Sequence, residues 1–447
     1  MKKYYLILIF LIIAQTIGAQ CVKSIATGAG HSGYIDNDGT LWMWGRNLNG
    51  QLGNNTTTNS NVPIQVGNPG EWQSLGSFAF NHTYAIKSDG TLWQWGFHIS
   101  PGASWPGVDA HIPTQVGTAS DWKFVSAFEH VMAIKTDGSL WGWGYNYEGR
   151  VGNNSYTYVP EPVRIGTDND WLSVATGGSF TAAIKTDGTL WAWGGNRYVM
   201  TIDKQKTPIQ IGSDNDWRKI DGGNNFLVAL KNDGTLWEWG MKGYSGPGGT
   251  SGIYLWPTQT NSDSDWADID AALYKFYAIK EDGSFHYWGD GYAESSANDN
   301  NPAQPTLFGS DNDWEIASCG ATHGMAIKTD GSVWTWGRNE MGDLGNGTYE
   351  TSYIPILVKD CDIAIPEEPG QCGCECLFIQ NPVHDFATVS AEGNVVFEDV
   401  TVYDISGKSI ILSLENNQVY VGNLQQGIYL AEVKCKGKSY YKKFIKI

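Results

Sequence analysis

IKTDGTLWAWG, residues Ile184–Gly194, is one of a set: IKSDGTLWQWG starts at Ile86, IKTDGSLWGWG at Ile134, LKNDGTLWEWG at Leu230 and IKTDGSVWTWG at Ile327. Apolar and β-branched residues alternate on either side of an Asp-Gly pair. That is the pattern of two antiparallel strands joined by a tight turn that tolerates positive φ. The Asp-Gly of this repeated stretch occurs seven times, at Asp38, Asp89, Asp137, Asp187, Asp233, Asp282 and Asp330. Successive copies are 51, 48, 50, 46, 49 and 48 residues apart, a period that marks a repeat architecture. Each period divides into four strand-like segments, in the second unit WQSLGS (from Trp72), HTYAIK (His82), TLWQWG (Thr91) and PTQV (Pro113). Four strands in each of seven units predict an all-β fold, a seven-bladed β-propeller.

The same register shows where the ring must close. A proline stands nine residues before the next opening tryptophan at six junctions: Pro63/Trp72, Pro113/Trp122, Pro162/Trp171, Pro208/Trp217, Pro257/Trp266 and Pro305/Trp314. Pro355 has no such tryptophan after it, and aligning SIATG (from Ser24) with SVATG (from Ser173) puts Val22 at the missing position. Cys21 and Cys361 then lie at the two cut ends of the ring. A disulfide between them is expected to staple it. Closing a loop of 340 residues would contribute ~4–5 kcal/mol in the chain-entropy account.

Composition agrees with this architecture. The 447 residues include 21 Trp and 55 Gly, with 17% charged, which suits turn-rich β structure better than helix or disorder. Net charge is −18 and the pI is near 4.8, so the chain repels phosphate backbones and nucleic acid is not an expected partner. Lys2 and Lys3, an apolar run from Leu6 to Ala14 and a small residue at Ala19 read as a secretory signal peptide, residues 1–19. The run is about half the ~20 residues that a membrane span needs, so the mature chain is expected to have no transmembrane segment. Gln20 ahead of Cys21 argues against a lipoprotein signal. Export would place the cysteines where disulfides persist.

Three segments carry a family resemblance. GRNLNGQLGNN (Gly45), GYNYEGRVGNN (Gly144) and GRNEMGDLGNG (Gly337) share G-x-N-x-x-G-x-[LV]-G, and CGATHGMAIKTDG (Cys319) has the form CG-x-x-H-x-x-A-[IL]. Together they resemble the repeats of the regulator of chromosome condensation family over about residues 22–361. The resemblance implies a propeller used as a protein-binding platform. The family's nuclear exchange-factor role does not carry over to an exported, acidic chain. Units 2, 4, 5 and 6 lack the N-x-x-G-x-x-G segment, so those loops are rewritten.

From Asp362 the composition changes. DIAIPEEPGQCGCEC reads as a linker (362–376), and NPVHD (Asn381), DISGK (Asp404), LQQGIY (Leu424) and KFIKI (Lys443) follow in strand-like surroundings. These motifs resemble the type A C-terminal sorting domain of the type IX secretion system of Bacteroidetes. The expected organisation is a signal peptide (1–19), a propeller (20–361), the linker, and a small β-sandwich sorting domain (377–447). The resemblance implies a secreted or outer-membrane-attached protein that meets the type IX machinery through its tail.

Candidate ligand contacts are sought where the repeat breaks. Thirteen Trp fill the two positions of LWxWG and six open the units, which leaves Trp105 and Trp256. Both are expected in rewritten loops, where aromatic rings can anchor a protein or stack on a sugar. Tyr147, Tyr198 and Tyr254 are further candidates, with Phe97 and Tyr244 beside them. His31, His82, His130 and His323 share one unit position with Phe180, Phe226 and Lys275, the mark of a packing slot. His286 replaces a repeat tryptophan and reads as core. TDNDW (Thr167), SDNDW (Ser213, Ser310) and SDSDW (Ser262) offer hard oxygen ligands, but their place before each opening Trp suits turn caps. No metal or other cofactor is expected. Cys319 reads as a buried thiol, and Cys372, Cys374, Cys376 and Cys435 as disulfide formers of open pairing. No catalytic triad or carboxylate dyad stands out. The expectation is a non-enzymatic platform for an unknown surface or secreted protein. A glycan-binding module is the alternative, and a propeller hydrolase or lyase is less favoured.

Overall fold

The computed structural model describes residues 21–76, 81–98, 108–195, 204–241, 253–289, 302 and 304–361. Beyond these it describes 377–379, 386–391, 399–404, 409–412, 414–415, 418–421, 423–424, 427–435 and 438–446. All regular secondary structure among them is β-strand. The chain divides into two compact units, Met1–Cys361 and Asp362–Ile447.

The first unit is a seven-bladed propeller, each blade a four-stranded antiparallel meander. Blade 1 consists of Val22–Thr27, His31–Asp36, Leu41–Gly45 and Ser60–Val66. Blades 2 to 7 open at Trp72, Trp122, Trp171, Trp217, Trp266 and Trp314. First strands from all seven blades line a central channel, and fourth strands form the rim. In the second unit one sheet is built from Leu377–Ile379, Phe386–Ala391, Gln418–Tyr420 and Leu414–Glu415. The other contains Ser409–Leu412, Asp399–Asp404, Gly427–Cys435 and Lys438–Lys446. Val400, Val402, Val419 and Val433 are buried there.

The repeated eleven residues join each blade to the next. In blade 4, Asp187 Oδ1 accepts the Thr189 N–H at 3.0 Å and its hydroxyl at 2.7 Å. Thr189 Oγ1 in turn accepts the Trp191 Nε1–H at 2.9 Å. Gly188 has φ +79°, and its carbonyl accepts the N–H of Trp217, the opening residue of blade 5, at 3.1 Å. A Cβ on Gly188 would stand 2.1 Å from the Asn215 carbonyl oxygen. Glycine is therefore required twice over, for the left-handed turn and for the close approach of the next blade.

Lys185 explains the acidic segments. Its Nζ stands 4.9 and 4.8 Å from the ring centroids of Trp171 and Trp191, and pairs with Asp168 Oδ2 at 2.6 Å and Asp170 Oδ1 at 3.1 Å. Burial works against the ammonium, but the hydrogen bonds to the two carboxylates outweigh it and hold its pKa above the ordinary lysine value. Lys87, Lys135, Lys231, Lys280 and Lys328 sit in corresponding cages. The recurrent Asp pairs thus hold the chain's own ammonium groups. His286 takes a cage position in blade 6, edge-on to Trp266 at 5.0 Å. Lys185→Met keeps the stem and removes the charge. It is expected to cost about 1–2 kcal/mol, with the loss smaller at high salt. Urea denaturation at two ionic strengths checks this, and a loss independent of salt would reduce the cage to packing.

The two repeat tryptophans have different duties. The first belongs to the cage of its own blade. The second reaches the preceding blade: Trp95 Nε1 donates to the Gln51 carbonyl at 2.9 Å, Trp44 Nε1 to the Asp343 carbonyl at 2.9 Å, and Trp288 Nε1 to Glu238 Oε2 at 3.1 Å. Blade 1 departs from the scheme, with Val22 and Asp36 where the others have Trp and Lys. There the Cα atoms of Cys21 and Cys361 are 5.7 Å apart and the two residues are joined as a disulfide.

Candidate functional site

In a four-stranded meander the turns between strands 1 and 2 and the loops between strands 3 and 4 emerge at the same end. The Asp-Gly turns emerge at the other. Blades 1, 3 and 7 show how the first end is built. Asn47 Nδ2 donates to Asn54 Oδ1 and to the Thr56 and Thr58 carbonyls at 3.0–3.1 Å, while its Oδ1 accepts the Leu52 N–H at 2.9 Å. Asn146 and Asn339 hold the corresponding loops in the same way. All three amides are buried. Each loop then clasps the rim strand of the following blade, through Asn55 N–H to His111 O, Asn154 N–H to Lys206 O and Gly347 N–H to Asn61 O, at 2.8 Å each. The family segment is therefore structural, a loop pinned from inside.

These loops present apolar side chains outward among exposed polar ones such as Thr57, Asn154, Arg338 and Glu340. Tyr147 is 72% exposed and Leu48 is 53% exposed, one residue after their pinning asparagines, and Met341 is exposed on the blade 7 loop. Tyr147 stacks on Tyr145 at 5.9 Å, which meets Tyr158 edge-on at 6.0 Å. A large apolar tip on a rigid mount loses little entropy on binding.

Of the other candidates that are described, Trp256 and Tyr254 belong to blade 5, two blades on from Tyr147. Trp256 lies on a strand, Ile253–Gln259, and not in a loop as its sequence context suggested. That segment pairs with Leu236–Met241 as the rim strand of blade 5. Trp256 is 55% exposed, and Tyr254 and Leu255 beside it are exposed too, where the pairing with the third strand is irregular. Phe97 is part of the third strand of blade 2. Trp105, Tyr198 and Tyr244 lie outside the described residues, as do Cys372, Cys374, Cys376 and residues 1–19. Among the described residues, no three His, Cys, Asp or Glu side chains are grouped to hold a metal.

Sequence reasoning missed the channel. A cavity of about 250 Å³ is bordered by Thr27, Ser126, Thr176, Asp221, Asp270 and Cys319, among others. Inner strands have unpaired edge N–H groups there; Ser24 Oγ of blade 1 accepts the Leu75 N–H of blade 2 at 3.0 Å, and at four further seams a side chain of the preceding blade accepts one. Ser126 Oγ takes Thr176 N–H at 3.1 Å, Asp221 Oδ2 takes Ala271 N–H at 2.7 Å, Asp270 Oδ2 takes Cys319 N–H, and Ser318 Oγ takes Thr27 N–H at 3.1 Å. These four acceptors stand four residues after the opening position of their blade. Desolvation raises the pKa of Asp221, and that of Asp270 well above the carboxylate range, where the Asp221 charge adds to it. Lys219, ion-paired with Asp268, faces the same wall. The visible signal was an Asp, twice, where other units have Ala, Gly or Ser.

The histidine slot also makes bonds between blades. His31, His130 and His323 bring Nε2 to Thr83 Oγ1 (3.1 Å), Thr181 Oγ1 (2.6 Å) and Ser32 Oγ (2.8 Å) of the next blade. An imidazole beside a hydroxyl is the start of a nucleophilic site, but these pairs are fully buried. Burial pulls His31 and His323 down to about 3 and His130 well below its usual value, so all three stay neutral. They are seam hydrogen bonds.

Comparison with known proteins agrees with this geometry. The regulator of chromosome condensation repeat matches residues 38–80, 137–184 and 330–363, and a second description of that repeat matches 22–51, 171–198 and 316–343. The chain carries regulator of chromosome condensation repeats. These matched stretches include the three Asn-pinned loops, which is where the repeat is best preserved. Residues 381–447 match the secretion system C-terminal sorting domain, the tail of type IX export, which implies secretion or attachment at the cell surface. No helix among the described residues is long and apolar enough to cross a membrane.

The X-linked retinitis pigmentosa GTPase regulator homolog of Caenorhabditis elegans is 38% identical over 77 residues, 17% of this chain and 6% of that protein. The ultraviolet-B receptor UVR8 of Arabidopsis thaliana is 36% identical over 77 residues, 17% of this chain and 18% of its own length. The chain thus spans less than a fifth of these curated relatives. The crystal structure of Prp20p from Saccharomyces cerevisiae aligns with a TM-score of 0.57 at 19% identity, covering 67% of this chain and 80% of that one. That likeness shows the fold.

Proposed function

We propose that this exported propeller is a non-enzymatic recognition protein that binds another protein through the end bearing the strand 3–4 loops. The observation that carries the reading is the set of apolar tips, Leu48, Tyr147 and Met341, mounted on loops pinned by buried asparagines. Protein interfaces are built around such rigid apolar anchors. The net charge of −18 favours a basic partner and makes association faster at low salt. The export tail supports a partner at the cell surface or outside the cell.

A second reading has its own observation. Tyr254 and Trp256 are both exposed on the blade 5 rim strand, and aromatic rings of this kind can stack on a sugar. The two readings separate on immobilised chain exposed to surface proteins and polysaccharides, beside Tyr147→Ala and Trp256→Ala columns. The platform reading expects a protein held by the native chain and by Trp256→Ala, and bound at least ~10-fold more weakly by Tyr147→Ala. Retention of polysaccharide alone, lost in Trp256→Ala, would replace it with the glycan reading.

A further inference from the structure

The closing seam between blades 7 and 1 contains a carboxyl that neither the packing scheme nor the proposed binding surface uses. Asp343 lies in the blade 7 loop at the position of Gln51 in blade 1 and Arg150 in blade 3. Those two side chains reach partners: Gln51 Nε2 donates to Asn81 Oδ1 at 3.4 Å, and Arg150 Nη1 donates to Glu129 Oε2 and the Gly178 carbonyl at 2.6 Å. Asp343 is only 3% exposed, and its Oδ1 has no hydrogen-bond partner. Across the seam, Arg46 Nε is likewise buried without one. Both residues stand over Gly30. From the place a Cβ would take there, Asp343 Oδ1 is 3.4 Å away and Arg46 Cδ 3.7 Å.

The backbone of the same residue holds blade 1. Its carbonyl accepts Trp44 Nε1–H at 2.9 Å and Ser32 Oγ–H at 3.1 Å. A shift of the backbone at Asp343 would therefore loosen two bonds that close the ring. An ionised carboxylate with one oxygen unsatisfied in a dry seam has a strong tendency to move toward water or its counter-ion.

We propose that Asp343 is a proton-operated latch on the ring's closing seam. When neutral it rests over Gly30 and the loop around 338–350 stays clasped to blade 1. When ionised it is driven toward Arg46 and water, and the loop loosens while the rest of the ring holds.

The charged groups around it set where this happens. Burial dominates and pushes Asp343 up to about 7, the Met341 backbone N–H opposes it, Glu340 on its own loop adds to the rise, and Arg46 opposes it more weakly. The facing imidazoles, His31 and His323, are held near 3 and stay neutral through this range. His82 and Lys275 lie behind them as their neighbours. Because the folded-state pKa is raised, the stabilisation is full below the ordinary carboxylate range and is lost as pH rises through about 7.

Hydrogen–deuterium exchange on the full chain from about pH 5 to about pH 9, corrected for intrinsic rates, tests the latch. Protection of Ser32, Trp44 and the loop around 338–350 is expected to fall ~10-fold as pH crosses 7, with Asp343→Asn flat over the same range. Arg46→Gln removes the opposing cation and is expected to move the transition upward in pH. A flat native profile, or the same fall in Asp343→Asn, would overturn the proposal. An Arg46→Gln profile superimposable on the native one would overturn the role given to Arg46.

Discussion

Replacing Cys361 with serine is expected to lower the stability of the propeller by about 4–5 kcal/mol, a drop of roughly 6–10 °C in Tm. The bridge joins residues 340 apart, so most of the effect comes from freedom returned to the unfolded chain. The Cα separation of 5.7 Å lies inside the usual disulfide range, so the bond forms without moving the backbone. Its location is also where it counts most. At the other junctions covalent continuity and a lysine cage fasten one blade to the next. At this one the chain is cut, and Val22 and Asp36 replace the cage residues. The variant should still fold, because Trp44, Ser32, Thr27 and Asn61 all bond across the seam. Thermal melts with and without reductant check the account. Reductant should bring the native protein to the level of Cys361→Ser and leave the variant unchanged; equal melts in oxidising buffer would remove the staple.

The second large effect concerns the channel carboxyls. Asp270→Ala is expected to cost about 2–3 kcal/mol, because it leaves the Cys319 N–H without its acceptor and takes a neighbour from Asp221. Asp270→Asn keeps an acceptor of the same shape and should cost little at mildly acidic pH. The two substitutions part further as pH rises. The raised pKa values mean that the folded channel retains protons the unfolded chain has released. Stability from the pair is thus full below the ordinary carboxylate range and declines as pH climbs through the raised values. Asp270→Asn removes that decline and should be the more stable form in alkaline buffer. Denaturation curves across pH decide it: a native protein whose stability falls no faster than Asp270→Asn would mean that the folded channel does not hold Asp270 protonated.

Much of the architecture was legible because the repeat makes each residue type report its place several times. Asp-Gly marks the hairpin, and the proline-to-tryptophan interval marks the passage between blades. The one missing tryptophan marked the cut in the ring. The site was less legible. Trp256 looked like a loop residue because its unit is irregular, yet its backbone completes a rim strand with Leu236–Met241. Tyr147 kept its place as an exposed tip, but its stacking on Tyr145 depends on a loop turned by Asn146.

Sequence alone determined the number of blades, the order of strands and the export tail, because these follow from periodicity and local motifs. Contacts between blades were decided only in the tertiary structure. Asp221 and Ala271, or His323 and Ser32, are far apart along the chain and meet only when the ring closes. The same holds for the acidic pairs: TDNDW reads as a turn cap in preference to a cation site, and only the structure shows Lys185 standing between the carboxylates. A residue's type limits the bonds it can make, but its partner is set by which strands the closed ring places side by side.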